Sequence, residues 1–447
     1  MTQPQLNADQ QNALKKISAF ILTPDKEFFL TGGPGVGKTF TTRELANLLP
    51  AILHNYNKAM GKKEKDMQLV LTSTTNKAAS VLSAETGHEA QTIHSFLGLV
   101  PKSDYQTGVT LLKRTAKWQV HYNKMIFIDE ASMIENNLYM LIQEATDKSC
   151  KIIYIGDKNQ LPPVKEKLSP AVRLSEHPDL HYEIQTPVRN ANSPALLDLC
   201  NRLKTDIELE TAKPDLTSWT QHPGEIIYVN GDELQDLVEK TFGPNGTVKP
   251  DDEVLGSRIL AYTNQTVIGY NNHIRTLLSL PNNPVAGEIL VNNSHFQITK
   301  TSKVNAEEEV RIHDVEGPHD VAIDDYNSMQ AYSIEISSSF IPRSVVKVAA
   351  DRNQYLNLLR HYKKNKDWKR FYRLQEMFID LRNREAATVY KAQGSTYDEV
   401  IMIMDDIFTS RDINQLRRML YVGASRARKR IYVYDKGIYE NKRGIYQ

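Results

Sequence analysis

Apolar residues fall along this chain in short blocks rather than long runs. In the first third, the blocks at 28–31, 69–72, 125–129 and 152–155 are continuous and bounded by polar or glycine-containing stretches. That is the pattern of strands buried on both faces. The segments between them have helical character, and such alternation predicts a parallel sheet with crossover helices. From 100 to 118 the pattern breaks into a polar run, Pro101-Lys102-Ser103-Asp104-Tyr105-Gln106-Thr107-Gly108, followed by Val109-Thr110-Leu111-Leu112. This predicts a small β-hairpin inserted at about 98–123.

A second alternating set runs through 226–229, 258–262, 400–404 and 430–434 and predicts a second parallel sheet. Within it, short period-two segments at 288–291, 310–315, 332–337 and 344–348 are broken by Gly, Pro and Asn, as in a small β-barrel. Residues 351–384 contain no Gly or Pro and mix aromatic with basic side chains, which predicts one or two helices forming an arm.

Composition narrows the class without deciding it. A chain of 447 residues is too long for one ordinary core, and 40% hydrophobic with 24% charged residues is typical of folded globular proteins. No stretch reaches the roughly 20 apolar residues that span a bilayer, and residues 1–10 are too polar for a signal peptide, so no membrane partner and a cytoplasmic location are expected. Two cysteines, Cys150 and Cys200, rule out a disulfide framework and read as buried free thiols. The net charge of +1 leaves any polyanion binding to local charge. Two basic clusters qualify: Arg360, Lys363, Lys364, Lys366, Lys369, Arg370 and Arg373, which read equally as a solvated face, and Arg426, Arg428, Lys429 and Arg430.

The chemistry is written most clearly in Gly32-Gly33-Pro34-Gly35-Val36-Gly37-Lys38-Thr39, a full Walker A run between a strand and a helix. Its glycines let backbone N–H groups converge on phosphates at a helix N-terminus, Lys38 would meet the β- and γ-phosphates of ATP, and Thr39 would ligate Mg²⁺. Position 40 is Phe40 and is assigned no role. Asp129-Glu130 ends a buried strand, where open α/β sheets bind ligands. Asp129 would hold Mg²⁺, and Glu130 would position the attacking water. The run Gly156-Asp157-Lys158-Asn159-Gln160-Leu161-Pro162-Pro163-Val164 follows another buried strand and places Gln160 to sense the γ-phosphate.

With these residues in place, nearly the whole chain resembles the superfamily 1 helicases of the RecD-like branch, in particular the Dda-type enzymes of T-even bacteriophages. Leu6-Asn7-Ala8-Asp9-Gln10 is similar to that family's adenine-reading Q motif, which implies that Gln10 bonds the base. Gln160-Leu161-Pro162-Pro163-Val164 is similar to motif III. Arg189, in Gln185-Thr186-Pro187-Val188-Arg189-Asn190, matches the motif IV arginine, and Arg426, in Tyr421-Val422-Gly423-Ala424-Ser425-Arg426-Ala427, that of motif VI. The resemblance implies that both stabilise the charge that develops in phosphoryl transfer.

For nucleic acid, the resemblance implies Thr75 and Lys77 in a motif Ia run where Thr74 replaces the usual proline, and His94 in a motif Ib run, a residue that reads equally as a core histidine. It adds Tyr390, Lys391 and Gln393 in a motif V run where Tyr390 stands in place of histidine. Gly394 of that run is placed with the nucleotide-binding residues. The hairpin corresponds to the family's strand-separating pin, with Leu111 and Leu112 near its tip and Trp118 and Tyr105 as alternative wedges.

The expected fold is α/β: two RecA-like P-loop domains with a β-hairpin insertion, an SH3-like β-barrel insertion and a helical arm. The expected boundaries are 1–175 for the first domain, 176–286 and 386–447 for the second, 287–350 for the barrel and 351–385 for the arm. The resemblance further implies a monomer using ATP and Mg²⁺, moving 5′ to 3′ on single-stranded DNA and opening fork duplexes in the cytoplasm of a phage host, with a single-stranded-DNA-binding protein as a candidate partner. The rival readings are an RNA-directed helicase, a P-loop phosphotransferase indifferent to nucleic acid, and a nucleic-acid-binding module with a vestigial ATPase.

Overall fold

The structure is a computed structural model and describes residues 5–59, 67–105, 107, 110–163, 166–188, 193–210, 214, 219–299, 302–324 and 326–436. It divides into two compact units: residues 1–100, 113–215 and 412–429, and residues 101–112, 216–411 and 430–447.

The first unit opens with α1 (Ala8–Ile21), β1 (Glu27–Gly32), α2 (Lys38–Ala59), β2 (Gln68–Ser73), α3 (Asn76–Thr86), β3 (Ala90–Thr92) and the one-turn α4 (Ile93–Phe96). After the hairpin strands β4 (Leu99–Ser103) and β5 (Thr110–Arg114) come β6 (Lys124–Asp129), α5 (Asn136–Ala145), β7 (Lys151–Gly156), β8 (His181–Ile184) and α6 (Pro194–Glu208). Six of these strands form one sheet in the order β3-β2-β6-β7-β1-β8, and every neighbouring pair is parallel. The continuous apolar blocks are therefore strands covered on both faces. Phe28, Leu30, Phe127, Ile153 and Ile155 pack with Ile17 and Phe20 of α1 in one core, each such side chain contributing about 1.5–3 kcal/mol through burial.

Local signals set the helix ends. Asn7 accepts the N–H of Gln10, and the Gln10 side chain returns to the N–H of Asn7, a capping box that starts α1. Thr75 caps α3 by accepting the Ala78 N–H, and Gly87 ends it in the left-handed region at φ 72°.

The second unit continues through β9 (Ile226–Val229), α7 (Gly231–Phe242), β10 (Ser257–Ala261), α8 (Asn264–Leu277), β11 (Ile289–Asn292), β12 (Phe296–Gln297), β13 (Lys303–Val304), β14 (Glu309–Ala322), β15 (Ser328–Ser337) and β16 (Ser344–Ala349). It is completed by α9 (Arg352–Lys364), α10 (Trp368–Met377), β17 (Leu381–Arg382), β18 (Ala386–Thr388), β19 (Tyr397–Ile403), α11 (Met404–Ile407) and, beyond α12 (Ile413–Ala424), most of β20 (Ala427–Tyr434). One sheet has the order β18-β10-β19-β20-β9, with β18, β10 and β19 parallel and β20 parallel to β9. The period-two segments form a separate antiparallel sheet, β16-β15-β14-β11-β17, in which β14 is bent by register shifts at 312–314 and 316–319. Its alternating residues Val310, Ile312, Ile334 and Ile336 face one buried core.

The arm is two helices. Lys366 turns the chain at φ 56°, and Asp367 restarts it by accepting the Arg370 N–H. Helix α12 packs on α6 and belongs to the first compact unit, although the chain on either side of it belongs to the second. Among the described residues no helix is long and apolar enough to cross a membrane.

Candidate nucleotide site of the first unit

Parallel packing brings the carboxyl ends of β1, β6, β7 and β8 to one edge of the sheet, and the loops that leave them carry the residues singled out above. This is the edge at which open α/β sheets bind ligands. The loop after β1 has no room for a side chain at Gly32 or Gly37. A Cβ on Gly32 would lie 2.7 Å from the Ile184 carbonyl, and one on Gly37, at φ 82°, would lie 2.4 Å from the Gln10 amide. Gly35 is also left-handed at φ 78°. A backbone held this way presents successive N–H groups to an anion at the start of α2. Pro34 and Val36 lie between these glycines, with Val36 buried. The Lys38 ammonium donates to the carbonyls of Gly32 and Gly33 at 2.8 and 3.0 Å, so the cation already lies over the loop. Thr39 is half-buried in the first turn of α2.

Gln10 is buried and donates from Nε2 to the Val36 carbonyl at 3.0 Å, which fixes the first turn of α1 against the phosphate loop. Beside it, Asp9 accepts the Tyr182 hydroxyl and the backbone N–H groups of Gln185 and Thr186 at 2.7, 2.7 and 2.9 Å. Burial works to raise the Asp9 carboxyl, but these donors outweigh it and hold the group below its ordinary value. The Val188 N–H donates to Gly35, so the chain leading toward Arg189 is tied to the phosphate loop. Arg189 itself lies outside the described residues.

Asp129 is pushed up to about 7 by burial and then by the charge of Glu130, with Lys38 pulling the other way. A site that holds a carboxylate at such cost in charge accommodates a cation. With Thr39 across the loop, Asp129 and bound phosphates would complete an oxygen set of the kind Mg²⁺ takes, one or two protein ligands plus phosphates. Among the described residues no cluster of three or more His, Cys, Asp or Glu forms an all-protein metal cage. Glu130 sits in the left-handed region at φ 54° and donates its N–H to Asp129 at 2.9 Å. Non-glycine residues held there cost on the order of 1–3 kcal/mol and cluster at working sites.

The loop after β7 is clasped from two sides. Tyr421 of α12 donates its hydroxyl to Asp157 Oδ2 at 2.7 Å, and Arg418, one turn earlier, donates to the carbonyls of Lys158 and Gln160 at 2.8 and 2.7 Å. From the other side, Lys158 pairs with Glu183 at 2.9 Å and Glu208 at 3.2 Å, and Lys204 pairs with Glu183. Gln160 is buried within this clasp. Asp9, Asp157, Arg418 and Tyr421 were given no role on sequence. Asp157 and Tyr421 lay inside motif runs already quoted, but their pairing joins positions 264 apart.

Arg426 follows α12 and is buried. It donates from Nε to Val422 at 3.0 Å and from Nη2 to Ser425 at 2.9 Å, and its charge acts on both Cys200 and Tyr421. It therefore stands with the clasp, not with a surface patch. Arg430 pairs with Glu399 at 2.9 Å, so the second basic cluster is not one exposed surface. Cys150 is buried as expected, whereas Cys200 is only partly covered, although burial of its sulfur pushes the thiol up to about 12.

Of the expected polymer contacts, Thr75 is engaged as the α3 cap, and Lys77 is exposed in the first turn. Thr74, in the usual place of proline, donates its hydroxyl to the Glu130 carbonyl at 3.5 Å. His94 is half-buried on α4. In the second unit, Tyr390 and Gln393 are half-buried, Gly394 is exposed at φ 73°, and Lys391 is held by Asn293 at 2.7 Å and by Glu307. Near the hairpin, Leu111 is 49% exposed, while Trp118 lies under the Arg114 guanidinium at 4.2 Å.

Taken with this geometry, matches to known families fix the class. Residues 15–166 match the AAA domain model, and residues 385–434 match the UvrD-like helicase C-terminal domain. Over nearly its whole length the chain is similar to superfamily 1 helicases of the RecD-like branch. Among its relatives, the ATP-dependent DNA helicase dda of Enterobacteria phage T4 is 24% identical across 97% of this chain and 100% of its own length. The ATP-dependent RecD2 DNA helicase of Deinococcus radiodurans is 28% identical over 38% of this chain and 20% of its own. A crystal structure of a Bacteroides Pif1 helicase with ADP-AlF3 and single-stranded DNA aligns over 99% of this chain and 97% of that one, at 13% identity and a TM-score of 0.49.

Proposed function

We propose that this protein is an ATP-dependent DNA helicase that moves 5′ to 3′ along single-stranded DNA and opens fork duplexes. The observation that carries this reading is the clasp on the Gln160 loop. Asp157, Lys158 and Gln160 are bonded to Tyr421 and Arg418, so the loop that follows β7 is tied to the helix that leads into Arg426. A simple phosphotransferase needs a phosphate loop and a carboxylate pair, but it leaves this linkage without a task.

The roles follow from position. The Gly32–Gly37 backbone and Lys38 would cradle the phosphates, and Gln10 would meet the base edge after releasing Val36. Thr39 and Asp129 would hold Mg²⁺, which neutralises phosphate charge when bound. Glu130 would orient and deprotonate the attacking water, acting as a general base through a carboxylate set apart from the metal. Gln160, Arg426 and Arg189 would meet the charge that develops as the γ-phosphoryl departs, an effect that reaches about 10³ to 10⁵ in rate for arginine in related phosphoryl transfers. Thr75, Lys77 and His94, with Tyr390, Lys391 and Gln393, would contact the strand, where a stacked base is worth about 1–3 kcal/mol.

Unwinding of 5′-tailed, 3′-tailed and forked duplexes in the presence of ATP tests both activity and direction. Strand release is expected from the fork and the 5′-tailed duplex, none from the 3′-tailed duplex, and none at all with Lys38→Ala. Release from the 3′-tailed duplex alone would reverse the polarity, and release from a poly-U-tailed substrate in preference to poly-dT would favour the RNA-directed reading.

A further inference from the structure

The chain's net charge is +1, yet between positions 360 and 373 it carries seven Lys and Arg residues against one carboxylate, Asp367. Such a density of like charge costs self-repulsion and has no use in packing. The structure places these residues at the tip of the arm: Arg360, Lys363 and Lys364 at the end of α9, Lys366 in the turn, and Lys369, Arg370 and Arg373 on α10, all exposed. Arg370 is engaged by Asp367 at 2.9 Å and lies 3.6 Å from Asp324, and Arg360 reaches only Asn357. Lys363, Lys364, Lys366, Lys369 and Arg373 have no ion pair among the described residues.

One stripe of α10 gives the cluster a direction. Lys369, Tyr372, Arg373 and Glu376 stand at i, i+3, i+4 and i+7 and therefore share a face. Two members of this face meet the tip of the β4–β5 hairpin: the Tyr105 hydroxyl donates to Glu376 at 3.0 Å, and the Tyr105 ring lies edge-on to Tyr372 at 5.4 Å between centroids. The Glu376 carboxylate holds the Tyr105 hydroxyl above its ordinary value. Unpaired cations thus flank the hairpin tip on the same helical stripe that grips it.

We propose that the Lys363, Lys364, Lys366, Lys369 and Arg373 surface is a docking site for double-stranded DNA, which it holds by its phosphates beside the hairpin tip. This rests on the helicase reading, in which the hairpin parts the strands and the unopened duplex lies next to it. Duplex DNA is a polyanion of high and regular charge density, one phosphate per roughly 1.7 Å of axis, and exposed lysines suit sequence-independent backbone contact. The two large rings beside these cations, Trp368 and Phe371, are half-buried and packed on one another at 5.7 Å, so the cations dominate the exposed face.

The test compares the full chain with a Lys363→Ala/Lys364→Ala/Lys369→Ala/Arg373→Ala variant. Binding is measured by fluorescence anisotropy to a forked duplex and to an oligo-dT matching its tail, from 50 to 250 mM salt. For the fork, the variant is expected to bind about tenfold more weakly near 150 mM, and the slope of log affinity against log salt is expected to fall in magnitude by roughly 2 to 4, about 0.9 per lost phosphate contact. Oligo-dT affinity and oligo-dT-stimulated ATP hydrolysis are expected to stay within twofold. The charge-preserving Lys363→Arg/Lys364→Arg/Lys369→Arg/Arg373→Lys variant should restore fork binding. Unchanged fork affinity and slope would overturn the proposal and leave the cations to an acidic protein partner or to solvent. An equal loss on oligo-dT would overturn it in favour of a single-strand contact. Failure of oligo-dT to stimulate the unaltered protein is a separate result, and it strikes the helicase reading instead.

Discussion

Removing the Tyr421 hydroxyl tests whether the clasp on the Gln160 loop is an energetic unit. Tyr421 is 2% exposed and Asp157 1%, and the hydroxyl donates to Asp157 Oδ2 at 2.7 Å. Burial and the Asp157 charge keep the phenol protonated, well above its usual range. The other Asp157 oxygen is served by the Asn159 N–H at 2.9 Å. Tyr421→Phe therefore leaves Oδ2 without this donor in a site closed to water. Hydrogen bonds to charged groups contribute about 1.5–3 kcal/mol, and a buried oxygen left unpaired costs a similar amount. A double-mutant cycle with Asp157→Asn, read by urea unfolding, is expected to give a coupling of about 1–2 kcal/mol. Because Arg418 and Tyr421 set the Gln160 loop, each single variant is expected to lower the oligo-dT-stimulated kcat for ATP more than it changes KM. Additive stabilities, with coupling under about 0.5 kcal/mol and kcat unchanged, would refute the reasoning.

Glu130→Gln keeps the side-chain shape but removes the base; ATP hydrolysis is expected to fall about 10²- to 10⁴-fold while fluorescent-nucleotide binding persists, and hydrolysis above a tenth of normal would exclude Glu130 as the base. Asp129, whose folded value lies near 7 against an ordinary 3.8, holds its proton more tightly when folded, so its contribution to stability is full below about pH 4 and is lost as pH rises through 7. In metal-free, nucleotide-free protein, Asp129→Asn is expected to flatten that decline, which is at most about 1.4 kcal/mol per pH unit; superimposable melting profiles from pH 5 to 8 would contradict it. Asp9→Ala frees the Gln185 and Thr186 N–H groups, and KM for ATP is expected to rise severalfold with kcat changed less; an unaltered KM would show that the brace is irrelevant to nucleotide binding.

The residues of the candidate nucleotide site stand out in the sequence because phosphate and metal chemistry needs particular residue types at adjacent chain positions. Gly32–Thr39 and Asp129-Glu130 are such runs, each following a continuous apolar block that becomes a strand. The clasp was not legible, since Arg418 bonds carbonyls 258 and 260 positions away and any residue supplies a carbonyl. Asp9 escaped for the same reason: two of its three partners are backbone N–H groups. Charge counting alone treated Arg426 to Arg430 as a patch. Folding buries Arg426, which lies between α12 and β20, and pairs Arg430 with Glu399. On α9 and α10 the spacing leaves the cations outside. The strand blocks foretold two parallel sheets, but nothing local could show that α12 packs on α6.

The central claim is that ATP turnover at the β1 loop is governed by a bound single strand through the linked Gln160 loop and α12. Steady-state ATP hydrolysis with and without oligo-dT, in Mg²⁺, measures this directly, with Arg418→Ala beside the unaltered chain. A rise of at least tenfold on adding oligo-dT, largely lost in Arg418→Ala while the basal rate persists, is the predicted result. Hydrolysis at the same rate with and without the strand would contradict it.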